Sequence, residues 1–200
     1  PETGNLDMRK KTALSLLVFA LAAMTLAGCA KVVKIGEESK LTGEVKFNAG
    51  DSVDQIWESK AVPELNGEAV DLKTLLTEAN GSLDSVAEKY GRRSSGTSGQ
   101  VNFIVKGTGK VTAVDQKKKN GFMAVSLDGY NGKTSVEIQI GPVYQGTAVR
   151  DSLSFIKYED YKNQVQWAQI SQSIHQVVQK DVVDPVNVSS LTGKTIEFTG

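Results

Sequence analysis

The chain has 200 residues, and its 23 basic and 23 acidic side chains cancel to a formal charge of zero. That balance excludes a protein that holds nucleic acid through a basic surface. A single cysteine and a single histidine exclude an internal disulfide and leave a metal site at the cysteine short of partners, and nothing in the sequence implies a cofactor.

Residues 1–7, PETGNLD, precede Met8 and carry Glu2 and Asp7. They are read as a cloning remnant or a mis-assigned start. Arg9, Lys10 and Lys11 then lead into an almost wholly apolar run from Ala13 to Ala27. As a helix this run spans roughly 22 Å, short of the ~30 Å hydrocarbon core of a bilayer. A positive start, a short apolar middle and small residues at the end describe a secretory signal, residues 8–28. A buried helix of the fold would show a polar face, and this segment has none.

Leu26-Ala27-Gly28-Cys29 resembles the lipobox of bacterial lipoproteins. The resemblance implies a diacylglycerol on the Cys29 sulfur and cleavage before it. Ala30 stands where an aspartate often signals inner-membrane retention, so outer-membrane delivery is permitted. Residues 29–40 read as a lipidated tether, and residues 41–200 as a single soluble domain large enough for a real core.

Asp51 or Ser52 is expected to cap a short helix with Val53, Ile56 and Trp57 inward. Asp71 begins a second helix that Asn80-Gly81 ends, and Ser82 begins a third carrying Leu83, Val86 and Tyr90. The polar, glycine-rich stretch 92–99 reads as a flexible loop. After it the period becomes two. Val101, Phe103 and Val105 share a face, and the strand continues past a glycine kink at Gly107 and Gly109. Asn120-Gly121 predicts a tight hairpin turn, followed by alternating Met123, Val125 and Leu127, a second turn at 128–133, and inward Val136, Ile138 and Ile140. A long helix comes next with Trp167, Ile170, Ile174, Val177 and Val178 in one stripe and Pro185 beyond its end, and GKTIEFTG closes as a strand. The expected fold is α+β: an antiparallel meander resembling a small oligomer-binding (OB-like) barrel, short N-terminal helices and one long C-terminal helix.

The chain also resembles a family of predicted periplasmic lipoproteins, domain of unknown function 2291. The resemblance lies in Gln55-Ile56-Trp57, Pro63, residues 69–72, Tyr90-Gly91 and residues 105–111, and above all in IGPVYQGTAVRDSLSFI, residues 140–156, with Asn163-Gln164 and Ala168 after it. It implies an envelope lipoprotein often encoded beside sugar-uptake ABC transporters, and it carries no catalytic residues over. The implied contacts are the membrane, through Cys29, and a sugar-transporter component or its solute.

GPVYQGTAVRDS, residues 141–152, is the candidate contact loop. Gly141 and Gly146 permit unusual backbone angles, Pro142 stiffens the turn and Tyr144 offers a ring. Arg150 supplies a planar fork for a carboxylate, phosphate or paired hydroxyls, and Asp151 accepts from hydroxyls. Equally, Arg150 and Asp151 can fasten the loop where a strand hands over to a helix, with Asp151 or Ser152 capping that helix. A stand-alone small-molecule or oligosaccharide binder would use Tyr130, Tyr144 and Arg150 at a barrel mouth. A hydrolase would need His175 with Asp151, yet no nucleophile motif accompanies them. The sequence is therefore read as that of a non-enzymatic protein. GTGKV, 107–111, lacks the Walker spacing. Lys117 to Lys119 read as a solvated edge, with acidic lipid headgroups as the alternative. Glu159-Asp160 read as a helix start, and Trp57 and Trp167 as core.

Overall fold

The structure is a computed structural model, and it describes residues 46–93 and 99–200. The signal segment, Cys29, the tether and the centre of the 92–99 loop lie outside these residues. Helix α1, Ala49–Ile56, is capped by Asn48 rather than by Asp51 or Ser52, because the Asn48 Oδ1 accepts from the Gly50 and Asp51 amides. The chain then widens into a π-helical turn, Trp57–Ala61, and resumes as α2, Val62–Glu68, with Pro63 in its first turn. Val53, Trp57 and Ala61 all stay buried along this path.

Strand β1, Val70–Asp71, feeds α3, Leu72–Ala79. Asp71 caps it as expected. Its Oδ1 accepts from the Thr74 amide at 2.7 Å and the Thr74 hydroxyl at 2.8 Å, and these bonds hold the carboxyl below its usual value. Asn80 ends α3 in the left-handed region, φ 46°. The third expected helix is instead a 3₁₀ turn, Leu83–Val86, followed by α4, Ala87–Tyr90. The Ser82 carbonyl, not its hydroxyl, is the acceptor here. It takes the Ser85 amide and hydroxyl, which tightens the turn and leaves Leu83 exposed.

Arg92 and Arg93 do not belong to a loop. They form β2, Gly91–Arg93, antiparallel to β3, Val101–Phe103. The long strand breaks at buried Ile104 rather than kinking at glycine, and β4 runs unbroken from Val105 to Asp115. Gly109 is needed for close approach, since a Cβ there would lie 2.5 Å from the Ser126 carbonyl oxygen. Asn120 and Gly121 likewise open β5, Asn120–Leu127, opposite Pro142 and Gly141. The turn sits earlier, where the Lys117 amide bonds the Asp115 carboxylate at 2.9 Å.

Strand β6, Val136–Pro142, completes the meander, and β7, Thr195–Thr199, pairs with β4 along residues 106–110. On its other edge β4 meets β1, parallel, and then β5, antiparallel, from Gly109 onward. The result is a curled half-barrel, β6-β5-β4-β7. Between β6 and β7 come α5, Ala148–Ser152, a 3₁₀ turn at Tyr158–Asp160, and α6, Gln164–Val177, which ends in a second π-helical turn, Val178–Val183. The cap of α6 is Asn163, not Asp160. Asp160 is part of the preceding 3₁₀ turn, too early to reach the amides of α6.

Three apolar clusters hold these parts. Val53, Trp57, Leu153, Trp167, Ile170 and Ile174 form the helical core. Leu72, Leu75, Leu76 and Leu127 join α3 to the sheet. Val111, Met123, Val125 and Ile140 fill the barrel. Phe198 packs against both of the last two. Among the described residues no helix is long and apolar enough to cross a membrane.

Candidate functional site

The 141–152 segment divides into two parts with opposite surroundings. In α5, Arg150 and Asp151 side chains are each only 3% exposed. The Arg150 Nε and Nη2 reach the Asp151 Oδ1 at 2.8 and 2.7 Å, Nη1 donates to the Trp167 carbonyl at 3.0 Å, and the guanidinium lies 3.9 Å above the Trp167 ring centre. The Thr147 hydroxyl donates to the other Asp151 oxygen at 2.5 Å. Burying two charges costs several kcal/mol per ion, and only such full pairing offsets it. Arg150 and Asp151 are thus corrected from contact residues to a pin that fastens α5 to α6. Nor does Asp151 cap a helix, since it sits inside α5.

The first half of the segment is largely exposed after buried Gly141, and it is held in place by its neighbours. Gly141 and Gly146 take positive φ, 68° and 82°, and the Gly141–Pro142 peptide is cis. The Val143 amide bonds the Lys119 carbonyl at 3.0 Å. Gln139 grips the loop twice, accepting from the Gln145 amide at 2.7 Å and donating to its carbonyl at 3.0 Å. The Tyr144 hydroxyl donates to Gln179 at 2.9 Å, and Gln179 in turn donates to Asp184 at 2.5 Å. Gly141 leaves the room this needs, because a Cβ there would collide with the Gln179 Oε1.

Beside this loop lies an open groove of about 580 Å³. Pro142, Val143 and Tyr144 line one side, and Gln172, His175, Gln176, Gln179, Lys180 and Asp184 the other. The Tyr144 and His175 rings face each other, 5.3 Å between centres and tilted 31°. Burial, and then Arg150, hold the imidazole below its usual value, so it is neutral at pH 7 with one donor and one acceptor. Burial, and then Asp184, push the Tyr144 hydroxyl up, so it too stays uncharged. The groove therefore joins an apolar wall to a neutral hydrogen-bonding wall. Its two charges, Lys180 and Asp184, are of opposite sign.

Tyr130 packs against the α3 cluster, while the Arg150 side chain is buried against Trp167 of α6, so the mouth expected from Tyr130, Tyr144 and Arg150 is not assembled. His175 lines the groove and Asp151 does not. Both oxygens of that carboxylate are already engaged. Trp57 and Trp167 lie in the helical core. Among the described residues no three His, Cys, Asp or Glu side chains cluster as a metal site. The sequence reading missed Gln172, Gln176 and Gln179. Their spacing of four and three residues puts them on adjacent turns, and a glutamine-rich helix face was the one signal for them.

A crystal structure of an OB-fold protein from Thermotoga maritima is similar, with a TM-score of 0.61 and 13% identity over 76% of this chain and 85% of that one. At that identity the likeness establishes the fold. No match is found among curated proteins. Residues 19–200 match the family described as "Predicted periplasmic lipoprotein (DUF2291)". With nearly its whole length accounted for in this way, the chain belongs to the DUF2291 family of predicted periplasmic lipoproteins, proteins held to the cell envelope by lipid.

Proposed function

We propose that this lipoprotein is a non-enzymatic accessory or binding protein of solute uptake, tethered through Cys29 and acting by contacting a sugar-transporter component or its solute. The observation that carries the reading is the pinned loop Gly141–Gly146. It is held at Val143 by the Lys119 carbonyl, at Tyr144 by Gln179 and at Gln145 by Gln139, yet keeps Val143 nearly half exposed. A rigid, solvent-facing loop is the economical way to present a contact surface, since little ordering entropy remains to be lost on binding. The non-enzymatic reading is supported by Asp151, whose carboxylate is engaged by Thr147 and Arg150 and does not line the groove with His175.

The test is co-purification of the lipidated chain with its membrane neighbours. A transport component should be retained, and Gln139→Ala, which frees the loop, should reduce that retention. Recovery of no partner and no solute would sink the reading. Cys29→Ala should move the chain out of the membrane fraction. The second reading, a stand-alone small-molecule or oligosaccharide binder, is favoured by the groove. A ligand at 100 times its dissociation constant adds ~2.7 kcal/mol, a rise of roughly 5–10 °C in melting temperature. That is readable against a panel of sugars and metabolites.

A further inference from the structure

We propose that the groove between the Pro142–Tyr144 loop and α6 is a binding site for one small, neutral, polyhydroxylated ring, of the pyranose or cyclitol class. This rests on the reading of the domain as a binding module and names what that module takes.

Three properties of the groove select this chemistry. Its volume, about 580 Å³, lies in the range of small-molecule pockets. One side presents Pro142, Val143 and the Tyr144 ring, an apolar platform suited to the C–H face of a saturated ring. The other presents Gln172 and Gln176, exposed and one helical turn apart. Each amide offers donors and an acceptor together, as the neutral His175 imidazole does. Hydroxyl groups donate and accept at once, so they match such a wall. An anion would use the amide N–H donors alone and leave the carbonyl acceptors unmatched.

Charge excludes the other classes. The fork that would hold a phosphate or carboxylate, Arg150, is 3% exposed and already paired with Asp151. Lys180 stands with Asp184 at the same groove, so no net positive field gathers an anion. A purely apolar ligand would strip water from Gln172 and Gln176 without replacing their hydrogen bonds. Gln179 is held by Tyr144 and Asp184, which fixes the platform before any ligand arrives.

The full chain, in a detergent without a sugar headgroup, is examined by saturation-transfer NMR and calorimetry. The neutral probes are D-glucose, D-galactose, D-ribose and myo-inositol, and the anionic contrasts are inorganic phosphate and D-glucuronate. At least one neutral probe should bind. Its affinity should fall ~10-fold or more in Gln172→Ala/Gln176→Ala, since two hydrogen-bonding side chains are lost. Those residues are exposed, so the melting temperature should stay unchanged, and Lys117→Ala/Lys118→Ala, away from the groove lining, should bind as wild type. Failure of every neutral probe, binding of the anions alone, or full affinity in the double variant would each overturn the proposal. Should the neutral probes fail while a transport component still co-purifies, the groove proposal falls and the binding-module reading stands.

Discussion

Gly141–Gly146 and Thr147–Ser152 adjoin in sequence and share a linear motif, yet they do different work. In the second stretch a guanidinium, a carboxylate and an indole are closed off from water. The first lends a phenol to an open groove whose imidazole and row of amides come from α6 and the turn that follows it. Residues with the chemistry of a binding site are therefore not evidence of one. An arginine beside an aspartate serves recognition when a face of it meets solvent, and architecture when its donors are already matched inside.

Arg150→Ala tests that contrast most severely. It leaves Asp151 buried without its cation, which costs about 3–5 kcal/mol and lowers the melting temperature on the order of 10 °C. A folded, near-native Arg150→Ala in a thermal melt would undo the assignment of the pin. Gly141→Ala comes next. Positive φ and the clash with Gln179 predict a loss of ~1–3 kcal/mol, concentrated in the loop, with amide exchange of Val143 and Gln145 accelerating while α6 stays protected. Tyr144→Phe removes only the bond to Gln179 and should cost about 0.5–1.5 kcal/mol by denaturant titration. The gentlest probe is pH. A histidine held below its usual 6.5 binds its proton more readily unfolded. Its contribution is then complete above that value and lost as pH falls through the lowered folded value. Melting curves between pH 7.5 and 5 should therefore slope less in His175→Gln than in wild type. Equal slopes would mean the imidazole is not desolvated.

The elements written in short-range patterns were legible. Asp71 with Thr74, Asn80-Gly81, the stripe of α6 and the alternation of β6 all declare themselves within a few residues. The misreadings arose where tertiary partners decide. Asn120-Gly121 has the chemistry of a turn, but Gly121 is required because the Gly141 carbonyl would lie 2.8 Å from a Cβ there. Arg92 and Arg93 look like loop residues until β3 supplies a partner and Glu68 a counter-ion at 2.7 Å. For the site, the loop was found from its glycines and proline. Its burial pattern was not, because local sequence cannot say that Trp167, seventeen residues on, covers Arg150. The groove's other wall was missed because glutamines on a helix read as ordinary solvent face.

Both tryptophans of the chain, Trp57 and Trp167, belong to the helical core, and neither touches the barrel cluster. Intrinsic fluorescence is thereby a one-sided optical probe. Red-shifted emission on heating registers water reaching the seam between α1 and α6, with the guanidinium leaving the Trp167 ring as part of the same event. Far-UV dichroism, by contrast, sums over strands and helices alike. Overlaid, the two melts measure the cooperativity between layers: coincident curves mean the half-barrel and the helices give way together, and an early fluorescence transition means the helical layer peels from a sheet that persists.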